Sequence, residues 1–372
     1  MNDNKPCTIV VSVINDLVTD QRVHKVCTSL QAAGYEVLLV GRRFRRSKPL
    51  RRNYRIHRMR LLFNKSFLFY LEYNLRLCFY LLFVKADVFL SNDTDTLIAN
   101  YLASAVRRKP LVFDAHEMMP DTPEVASRHF VRSFWRGIED RIFPKLKYCY
   151  TVCESIAEIY NKRYNIRMQV VRNIPFGENA DTPLPKKTTI TAGGKKVILY
   201  QGAVNRGRGI EWMIDAMPLL EEWIFIVIGD GDVMPAIREQ VRRLALEDRV
   251  QLLGRIPFEA LSAYTSQADI GLSLLENRGL SYYYSLPNRI FDFIRRNIPI
   301  LATDFPEIRK IIESYQVGTL IDHYEPSYLA AVIREMAAEG KQWPGFVEAN
   351  RELTWEHESE VLLKIMEKAT TV

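Results

Sequence analysis

The sequence predicts an α/β protein with two Rossmann-like, doubly wound domains. A length of 372 residues suffices for two domains of ordinary size. Short apolar runs alternate with helical segments in two separate series, which is the pattern of open parallel sheets. Between the series, residues 173–195 are rich in Pro, Gly, Thr and Lys and lack periodicity. We therefore expect an N-terminal domain at 1–175, a linker at 176–195 and a C-terminal domain at 196–350.

The first series begins with the apolar run TIVVSVI at residues 8–14, typical of a strand buried on both faces. A helix over 21–33 follows, with Asp20 placed to cap it and Gly34 to end it. The other strands of this series are predicted at 37–40, 88–90, 111–113, 148–152 and 169–171.

The second series supplies the sheet of the other domain. Its strands are predicted at 197–202, 224–231, 250–254, 270–275, 299–303 and 317–321. The closing segment 354–369 has the pattern of an amphipathic helix, and we expect it to pack back on the first domain.

Composition bounds the class of protein. A hydrophobic content of 48% and a charged content of 26% are globular values and exclude wholesale disorder. The net charge of +7 is uneven, because residues 41–60 hold ten Lys or Arg side chains and no acid. This basic block favours an anionic partner. Its members are Arg42, Arg43, Arg45, Arg46, Lys48, Arg51, Arg52, Arg55, Arg58 and Arg60.

Cysteine usage and hydropathy indicate the compartment. The five cysteines include no CxxC pair and follow no recognisable signal peptide, so we expect a reduced, cytoplasmic protein. The apolar run 67–84 contains Glu72, Asn74 and Arg76, which favours a buried or interfacial helix over a membrane span. Together with the basic block, residues 41–84 predict contact with an anionic membrane at the inner face of the plasma membrane. The alternative is a core helix beside solvated arginines.

Polar residues follow two strands of the first domain. Asp93 and Asp95 come after one strand, and His116 and Glu117 after the next, at the sheet edge where functional groups are expected. His116 is either structural or chemical at such a position. The Asp93–Asp95 pair is compatible with a divalent metal, but Asp93 or Thr94 can equally cap the next helix. We expect no metal.

Glycines and arginines follow the first strand of the second domain. Gly202, Gly207 and Gly209 lie in one turn with Arg206 and Arg208, where backbone can approach a phosphate and the cations neutralise it. A solvated basic turn is the alternative. The GDGD turn beginning at residue 229 and the turn at 276 end neighbouring strands. We expect the three turns to converge on one crevice.

A short helix follows the turn at 276. Pro287 suits a first helical residue, and Asn288 and Asp292 share a face with Arg289 beside them. Helix N–H groups next to a guanidinium form an anion site. The alternative is a capped helix with a surface arginine.

The order and spacing of these motifs resemble glycosyltransferase family 4 (group 1), the retaining glycosyltransferases of GT-B type. The matching segments are DQRVHKVCTSLQAAGYEVLLVG, FDAHEMMPDTPE, YTVCESIAEIY before VVRNIP, VIGDGD, LLGRIP and SLPNRIFDFIRRNIPILATD. The family has a subgroup with a Leu-Pro-Asn-Lys signature, which stands here as Leu286-Pro287-Asn288-Arg289. The resemblance implies two domains facing each other across a cleft, with the nucleotide-sugar donor on the second and the acceptor on the first.

The resemblance also assigns site residues in the second domain. It implies that Arg208 and the helix amides at Pro287 contact the diphosphate, and that Asp292 holds the ribose. Tyr284 occupies the place of the first acid of the Glu-x7-Glu motif, for which Glu276 is a possible substitute. The family has a second basic residue immediately after the first glycine of the turn, and this position is Ala203 here. If two cations are needed, Arg206 or Arg289 must provide the second. The implied donor-binding set is Gly202, Arg206, Arg208, Gly229, Tyr284, Pro287, Asn288, Arg289 and Asp292.

In the first domain, His116 resembles the family histidine that faces the donor sugar, and it joins Arg208 and Asp292 as an expected catalytic residue. The first loop and the acceptor side are matched by Asp16, Gln21, Arg22, Asp93 and Glu117.

The implied function is transfer of a hexose from a nucleoside diphosphate sugar to a hydroxyl of a glycan or lipid-linked acceptor, with retained configuration, in polysaccharide or glycoconjugate synthesis. The donor is a co-substrate, and no cofactor or nucleic acid is expected. Three alternatives remain: a GT-B sugar-nucleotide epimerase, a donor-binding protein without catalysis, and a non-catalytic protein that binds nucleic acid or an anionic surface.

Overall fold

A computed structural model describes residues 6–18, 20–45, 47–177, 190 and 192–371, without the side chains of residues 258 and 259. Most of the predicted linker 176–195, and Arg46 of the basic block, lie outside the described residues. The chain divides into two compact units. Unit 1 comprises Met1–Asn173 and Trp355–Val372, and unit 2 comprises Ile174–Thr354.

Unit 1 contains a parallel sheet of seven strands within the described residues, in the order β3-β2-β1-β4-β5-β6-β7. The central strand β1 is buried over its apolar run because both faces are covered by helices. The strands are β1 (Thr8–Asp16), β2 (Glu36–Arg42), β3 (Arg55–Met59), β4 (Val88–Asn92), β5 (Leu111–Ala115), β6 (Tyr148–Thr151) and β7 (Gln169–Val170).

Strand β3 was not predicted, because it lies in the basic block and lacks an apolar run. It pairs in parallel with β2 and forms one edge of the sheet, where charged side chains are common because one side of the strand meets solvent.

The helices of unit 1 pack on both faces of this sheet. Asp20 caps the first of them as expected, with its carboxylate accepting from the backbone N–H of Val23 at 3.0 Å. They are α1 (Gln21–Ala32), α2 (Ser66–Phe83), α3 (Thr94–Arg107), α4 (Pro123–Ala126), α5 (His129–Ile142) and α6 (Glu154–Tyr164).

The helix α2 corresponds to the apolar run 67–84. Among the described residues, no helix is both long enough and apolar enough to cross a membrane.

Unit 2 contains a second parallel sheet, of six strands in the described part of the chain, ordered β10-β9-β8-β11-β12-β13. Its strands are β8 (Lys196–Gln201), β9 (Trp223–Ile228), β10 (Val250–Gly254), β11 (Ile270–Ser273), β12 (Ile300–Thr303) and β13 (Gly318–Ile321). Its helices are α7 (Ile210–Ala216), α8 (Met234–Arg243), α9 (Phe258–Thr265), α10 (Leu280–Tyr283), α11 (Asn288–Arg295), α12 (Pro306–Tyr315), α13 (Pro326–Met336) and α14 (Phe346–Glu352). Two Rossmann-like sheets confirm the predicted fold class.

The last helix, α15 (Trp355–Thr370), belongs to unit 1. The indole N–H of Trp355 donates to the hydroxyl of Ser29 on α1 at 2.8 Å, and Trp355 is 1% exposed. Arg172 donates to Glu358 through both its guanidinium and its backbone N–H. Leu362, Ile365 and Met366 are buried in the core that surrounds β1. The chain therefore completes the core of unit 1 only at α15.

Candidate active site

In unit 2, two turns pack backbone against backbone at the carboxyl ends of β8 and β9. The N–H of Gly202 donates to Ile228 at 2.9 Å, and a Cβ on Gly229 would lie 1.7 Å from the carbonyl oxygen of Gly202. Gly229 also has a φ of +145°, which favours glycine. A Cβ on Gly231 would lie 2.2 Å from the carbonyl oxygen of Val204. Any side chain at Gly229 or Gly231 would clash with the neighbouring backbone, so both positions require glycine.

The third turn joins the same edge. The N–H of Glu276 donates to the carbonyl of Gly207 at 2.9 Å, and a Cβ on Gly209 would lie 2.4 Å from the Cβ of Leu274. The turns at 202, 229 and 276 therefore lie together, as the strand order of a doubly wound sheet dictates.

Arg289 adjoins the turn at Gly202. It is the second residue of α11, it is 7% exposed, and its Nη2 lies 3.5 Å from the place of a Cβ on Gly202. Its guanidinium lies over the ring of Tyr200 at 4.5 Å from the centroid and donates to the Tyr200 hydroxyl at 3.3 Å. Its buried Nη1 has no hydrogen-bond partner among the described residues.

A second guanidinium lies nearby. Arg208 is half-buried, lies over the ring of Tyr282 at 4.5 Å, and has a buried Nε without a partner in the described part of the chain. Burial first, and then the charge of Arg208, lower the pKa of Arg289. Neither arginine forms an ion pair with a described acid. Two adjacent cations with unsatisfied N–H groups make a strong anion site, because an uncompensated buried charge is costly.

Arg206 and Asn288 are exposed, so the structure leaves both at the surface of this site. Of the two arginines that could replace the missing cation at Ala203, Arg289 is the one whose guanidinium adjoins Gly202.

Asp292 is half-buried one turn further along α11. Its Oδ2 accepts a hydrogen bond from Nε2 of Gln201 at 2.8 Å, and Oε1 of Gln201 accepts from the hydroxyl of Thr265 at 2.8 Å. Gln201 is 2% exposed, so these two buried hydrogen bonds fix the orientation of the Asp292 carboxylate. Gln201 was missed in the sequence, although a glutamine that ends an apolar strand is a detectable signal.

The start of α11 differs by one residue from the expectation. Pro287 is the N-cap with a ψ of 131°, and the first helical residue is Asn288. Tyr284 is the C-cap of α10 and contacts Tyr283 edge to face with ring centroids 4.9 Å apart. Glu276, the possible substitute for the missing acid, pairs with Arg278 at 2.9 Å and is 44% exposed.

In unit 1, Asp114 organises the charged residues. It is fully buried at the end of β5 and receives two hydrogen bonds from Arg22, at 2.9 and 2.7 Å. Arg22 also donates to the carbonyl of Val171 at 2.9 Å and is only 4% exposed. Burial alone would raise the pKa of Asp114, but Arg22 and His116 hold it at about 2. Arg22 is therefore held inside unit 1 by Asp114 and by the carbonyl of Val171.

His116 lies between two carboxylates. Its Nε2 lies 3.0 Å from Asp114, its Nδ1 lies 2.9 Å from Asp93, and its backbone N–H donates to Asp93 at 2.8 Å. Burial by itself lowers the pKa of His116, but the two carboxylates outweigh it and raise that pKa well above its usual value. The two carboxylates therefore favour the protonated imidazole.

Asp93 occupies the N-cap position of α3 but makes no capping hydrogen bond with its side chain, contrary to the capping interpretation. Its φ of +59° turns the carboxylate toward His116 instead. Asp95 is 8% exposed, and burial together with the charge of Asp93 raises its pKa well above the usual value. Asp114 contacts both Arg22 and His116. It was not selected from the sequence, because the spacing between Arg22 and Asp114 in the sequence does not indicate an ion pair.

The remaining predicted residues of unit 1 do not join this cluster. The Asp16 carboxylate accepts from Arg58 at 2.9 Å and from the hydroxyl of Ser47. Gln21 is half-buried at the first position of α1, and Glu117 is exposed beside His116. Across the described ranges, no three His, Cys, Asp or Glu side chains are arranged to hold a metal ion.

Two family models match the chain. The model described as Glycosyltransferase Family 4 matches residues 20–180, and the model described as Glycosyl transferases group 1 matches residues 195–339. The first match covers most of unit 1 and extends past its boundary at Asn173, and the second lies within unit 2. Together with the two parallel sheets, they place this chain among the glycosyltransferases of the GT-B fold.

Individual proteins agree with this placement. The chain is 26% identical over 148 residues to the alpha-monoglucosyldiacylglycerol synthase of Streptococcus pneumoniae, which covers 38% of this chain and 31% of that protein. Matches to the curated relatives span 31% to 55% of their lengths.

Solved structures match over both units. Sucrose-phosphate synthase from Thermosynechococcus elongatus gives a TM-score of 0.76 at 18% identity, over 97% of this chain and 98% of that one. Anabaena HepE, solved with UDP and glucose, gives 0.71 at 15% identity, over 96% and 99%. At these identities the likeness shows the fold.

Proposed function

We propose that this protein is a retaining hexosyltransferase of glycosyltransferase family 4. It moves a sugar from a nucleoside diphosphate sugar to a hydroxyl of a glycan or lipid-linked acceptor, in the synthesis of a polysaccharide or glycoconjugate in the cytoplasm. Both family models support the transferase class. Retention is inferred from the resemblance of residues 286–289 to the family signature.

One observation carries the proposal: Arg208 and Arg289 lie together, partly or wholly buried, with unsatisfied N–H groups. A diphosphate would satisfy both cations and remove the cost of burying them unpaired. As the sugar leaves, negative charge grows on the diphosphate. Guanidinium groups already fixed by Tyr200 and Tyr282 would stabilise that charge without reorganising.

The ribose is assigned to Asp292. Its carboxylate is held by Gln201 near the start of α11, where it can accept hydrogen bonds from ribose hydroxyls. Tyr284 stands where the family has another acid, so the sugar itself must be held by different groups.

His116 is assigned a positioning role. Because both ring nitrogens are taken by Asp93 and Asp114, the imidazolium fixes two loops at the carboxyl edge of the unit 1 sheet. We infer that this order is what the acceptor side needs.

The substrates to test first come from the similar proteins. HepE was solved with UDP and glucose, so UDP-glucose is the first donor. The name of the pneumococcal synthase specifies glucosylation of diacylglycerol, which makes diacylglycerol a suitable first lipid acceptor.

Donor binding is testable by calorimetry with a panel of nucleotide sugars. Arg208→Ala and Asp292→Ala should each weaken binding of the accepted donor by about tenfold or more, since each removes a hydrogen bond to a charged group. Thermal melting checks that both variants fold. Unchanged affinity in both would contradict the site.

Product analysis separates a transferase from an epimerase. Incubation with the donor alone should give only slow hydrolysis, whereas an epimerase would give the epimeric nucleotide sugar. With an acceptor, NMR of the anomeric proton should show the configuration of the donor. An inverted anomer would sink the retaining mechanism.

We further propose that transfer needs no metal, because Arg208 and Arg289 already supply positive charge for the diphosphate. Activity should persist in the presence of a chelator. Loss of activity that added Mg²⁺ or Mn²⁺ restores would refute this point.

A further inference from the structure

The outward face of α2 is apolar. Its inward face buries Phe69, Tyr73, Leu77 and Leu81. At the same four-residue spacing, the opposite face exposes large apolar side chains, where a surface helix normally carries polar ones. The exposed fractions are 42% for Leu71, 62% for Leu75, 68% for Phe79 and 75% for Phe83.

This apolar surface continues onto α5. Phe67, at the start of α2, is 58% exposed and meets Phe134 of α5 edge to face, with ring centroids 5.9 Å apart. Phe130, one turn before Phe134, is 86% exposed. A contiguous exposed patch of this kind marks an interaction site.

Cations border the patch. A groove of about 630 Å³ lies between α2 and the edge strand β3. It is lined by His57, Arg58, Met59, Arg60, Leu75, Arg76, Phe79 and Tyr80. The lining therefore contains three arginines, no acid, and two of the exposed apolar residues of α2, Leu75 and Phe79. Arg60 is exposed and forms no ion pair with a described residue, while Arg76 is 47% exposed and paired with Glu72.

We propose that this face docks on an anionic phospholipid bilayer. The stripe 71–83 and the α5 aromatics would enter the acyl boundary, and the exposed Arg60 and Arg76 would contact lipid phosphates at the level just above it. The charge selects this occupant: two exposed guanidinium groups, those of Arg60 and Arg76, lie next to exposed Phe and Leu and match the step from phosphate to acyl chain, while Arg58 is 11% exposed and paired with Asp16. This inference does not depend on the transfer reaction.

Flotation with vesicles tests it. The full chain should float with phosphatidylcholine vesicles that contain phosphatidylglycerol, and much less with phosphatidylcholine alone. The double variant Leu75→Gln/Phe79→Gln should lower the partition coefficient by about tenfold or more, since two apolar side chains lose their burial. Arg60→Gln should lower it by roughly fivefold, and added salt should remove that difference.

Two exposed residues of unit 2 give matched controls. Val347 is 83% exposed, and Arg242 is 64% exposed and paired with Glu239, so Val347→Gln and Arg242→Gln replace an apolar and a cationic side chain by glutamine elsewhere and should bind vesicles like the parent. No flotation in either lipid, or equal loss in the controls, would overturn the proposal. So would a concentration-dependent dimer in light scattering that Leu75→Gln/Phe79→Gln abolishes, since a second copy would then cover the face.

Discussion

At the residue scale, the proposed donor site is defined by polar groups that lack partners among the described residues. Arg289 and Arg208 are held by aromatic rings and keep N–H groups unsatisfied, whereas Arg206 of the same turn is exposed. An arginine packed on a ring loses little freedom when it binds an anion, because its orientation is already set. In the proposed site, Arg289 of α11 would supply the cation that the glycine turn lacks at Ala203.

Arg289→Gln should weaken nucleoside diphosphate binding by one to two orders of magnitude, since it removes a charge-assisted hydrogen bond worth about 1.5–3 kcal/mol. Arg206→Gln is the matched control from the same turn and should change the affinity by less than about threefold. Calorimetry with UDP measures both. A larger loss in Arg206→Gln than in Arg289→Gln would reverse the assignment.

The His116 network predicts a pH dependence of stability. Because Asp93 and Asp114 raise the folded-state pKa of His116, its protonation contributes stability fully below about pH 6.5 and loses it as the pH rises through the folded-state value. The free energy of unfolding should therefore differ most between the parent and His116→Gln in mildly acid solution. The difference should shrink in alkaline solution.

Denaturant titrations across this pH range measure the effect. His129→Gln, at an exposed histidine of α5, controls for the loss of an imidazole. A difference that grows with rising pH would rule out the charged network.

At the element scale, the turns matter more than the strands that carry them. The turn after β8 and the turn after β9 touch through backbone atoms, so neither can move without the other.

Gly229→Ala should destabilise the protein by about 3 kcal/mol or more, because the new methyl group meets the carbonyl of Gly202 at 1.7 Å at a strained φ. Gly254→Ala is the control: its φ is +69°, but nothing lies within 4 Å, so only the backbone cost of about 1–2 kcal/mol remains. Chemical unfolding compares the two. Equal costs would mean that the turns do not pack as described.

At the scale of the whole molecule, unit 1 is discontinuous in sequence. Unit 1 is built from both ends of the chain, and unit 2 is inserted between them. The C-terminal segment packs on unit 1 through Trp355. The ammonium of Lys25 lies over the ring of Trp355, 4.8 Å from its centroid.

Trp355→Ala should destabilise unit 1 by about 3–5 kcal/mol, the usual cost of removing a buried tryptophan. Trp223→Ala is the matched change in unit 2, since Trp223 is also 1% exposed. Hydrogen exchange should rise in β1 and β4 for the first variant and in β8 and β9 for the second. Exchange that rises in the same unit for both would contradict the division.

The sequence predicted twelve of these thirteen strands, because buried parallel strands are continuous apolar runs. It missed β3, whose residues are charged because the strand lies at an edge. It located the three glycine turns by their place after strands. It did not pair Arg22 with Asp114 or Gln201 with Asp292, since each pair is 91 or 92 positions apart and only the finished sheets bring them together.

The discontinuity has a consequence during translation. A ribosome completes every strand and helix of unit 2 before it makes α15, so unit 2 can fold while unit 1 still lacks its last core helix. Until then the side chains of α1 and β1 that α15 covers face water or a chaperone. Most of unit 1 is therefore synthesised first, but unit 1 is the last of the two units that can complete its core.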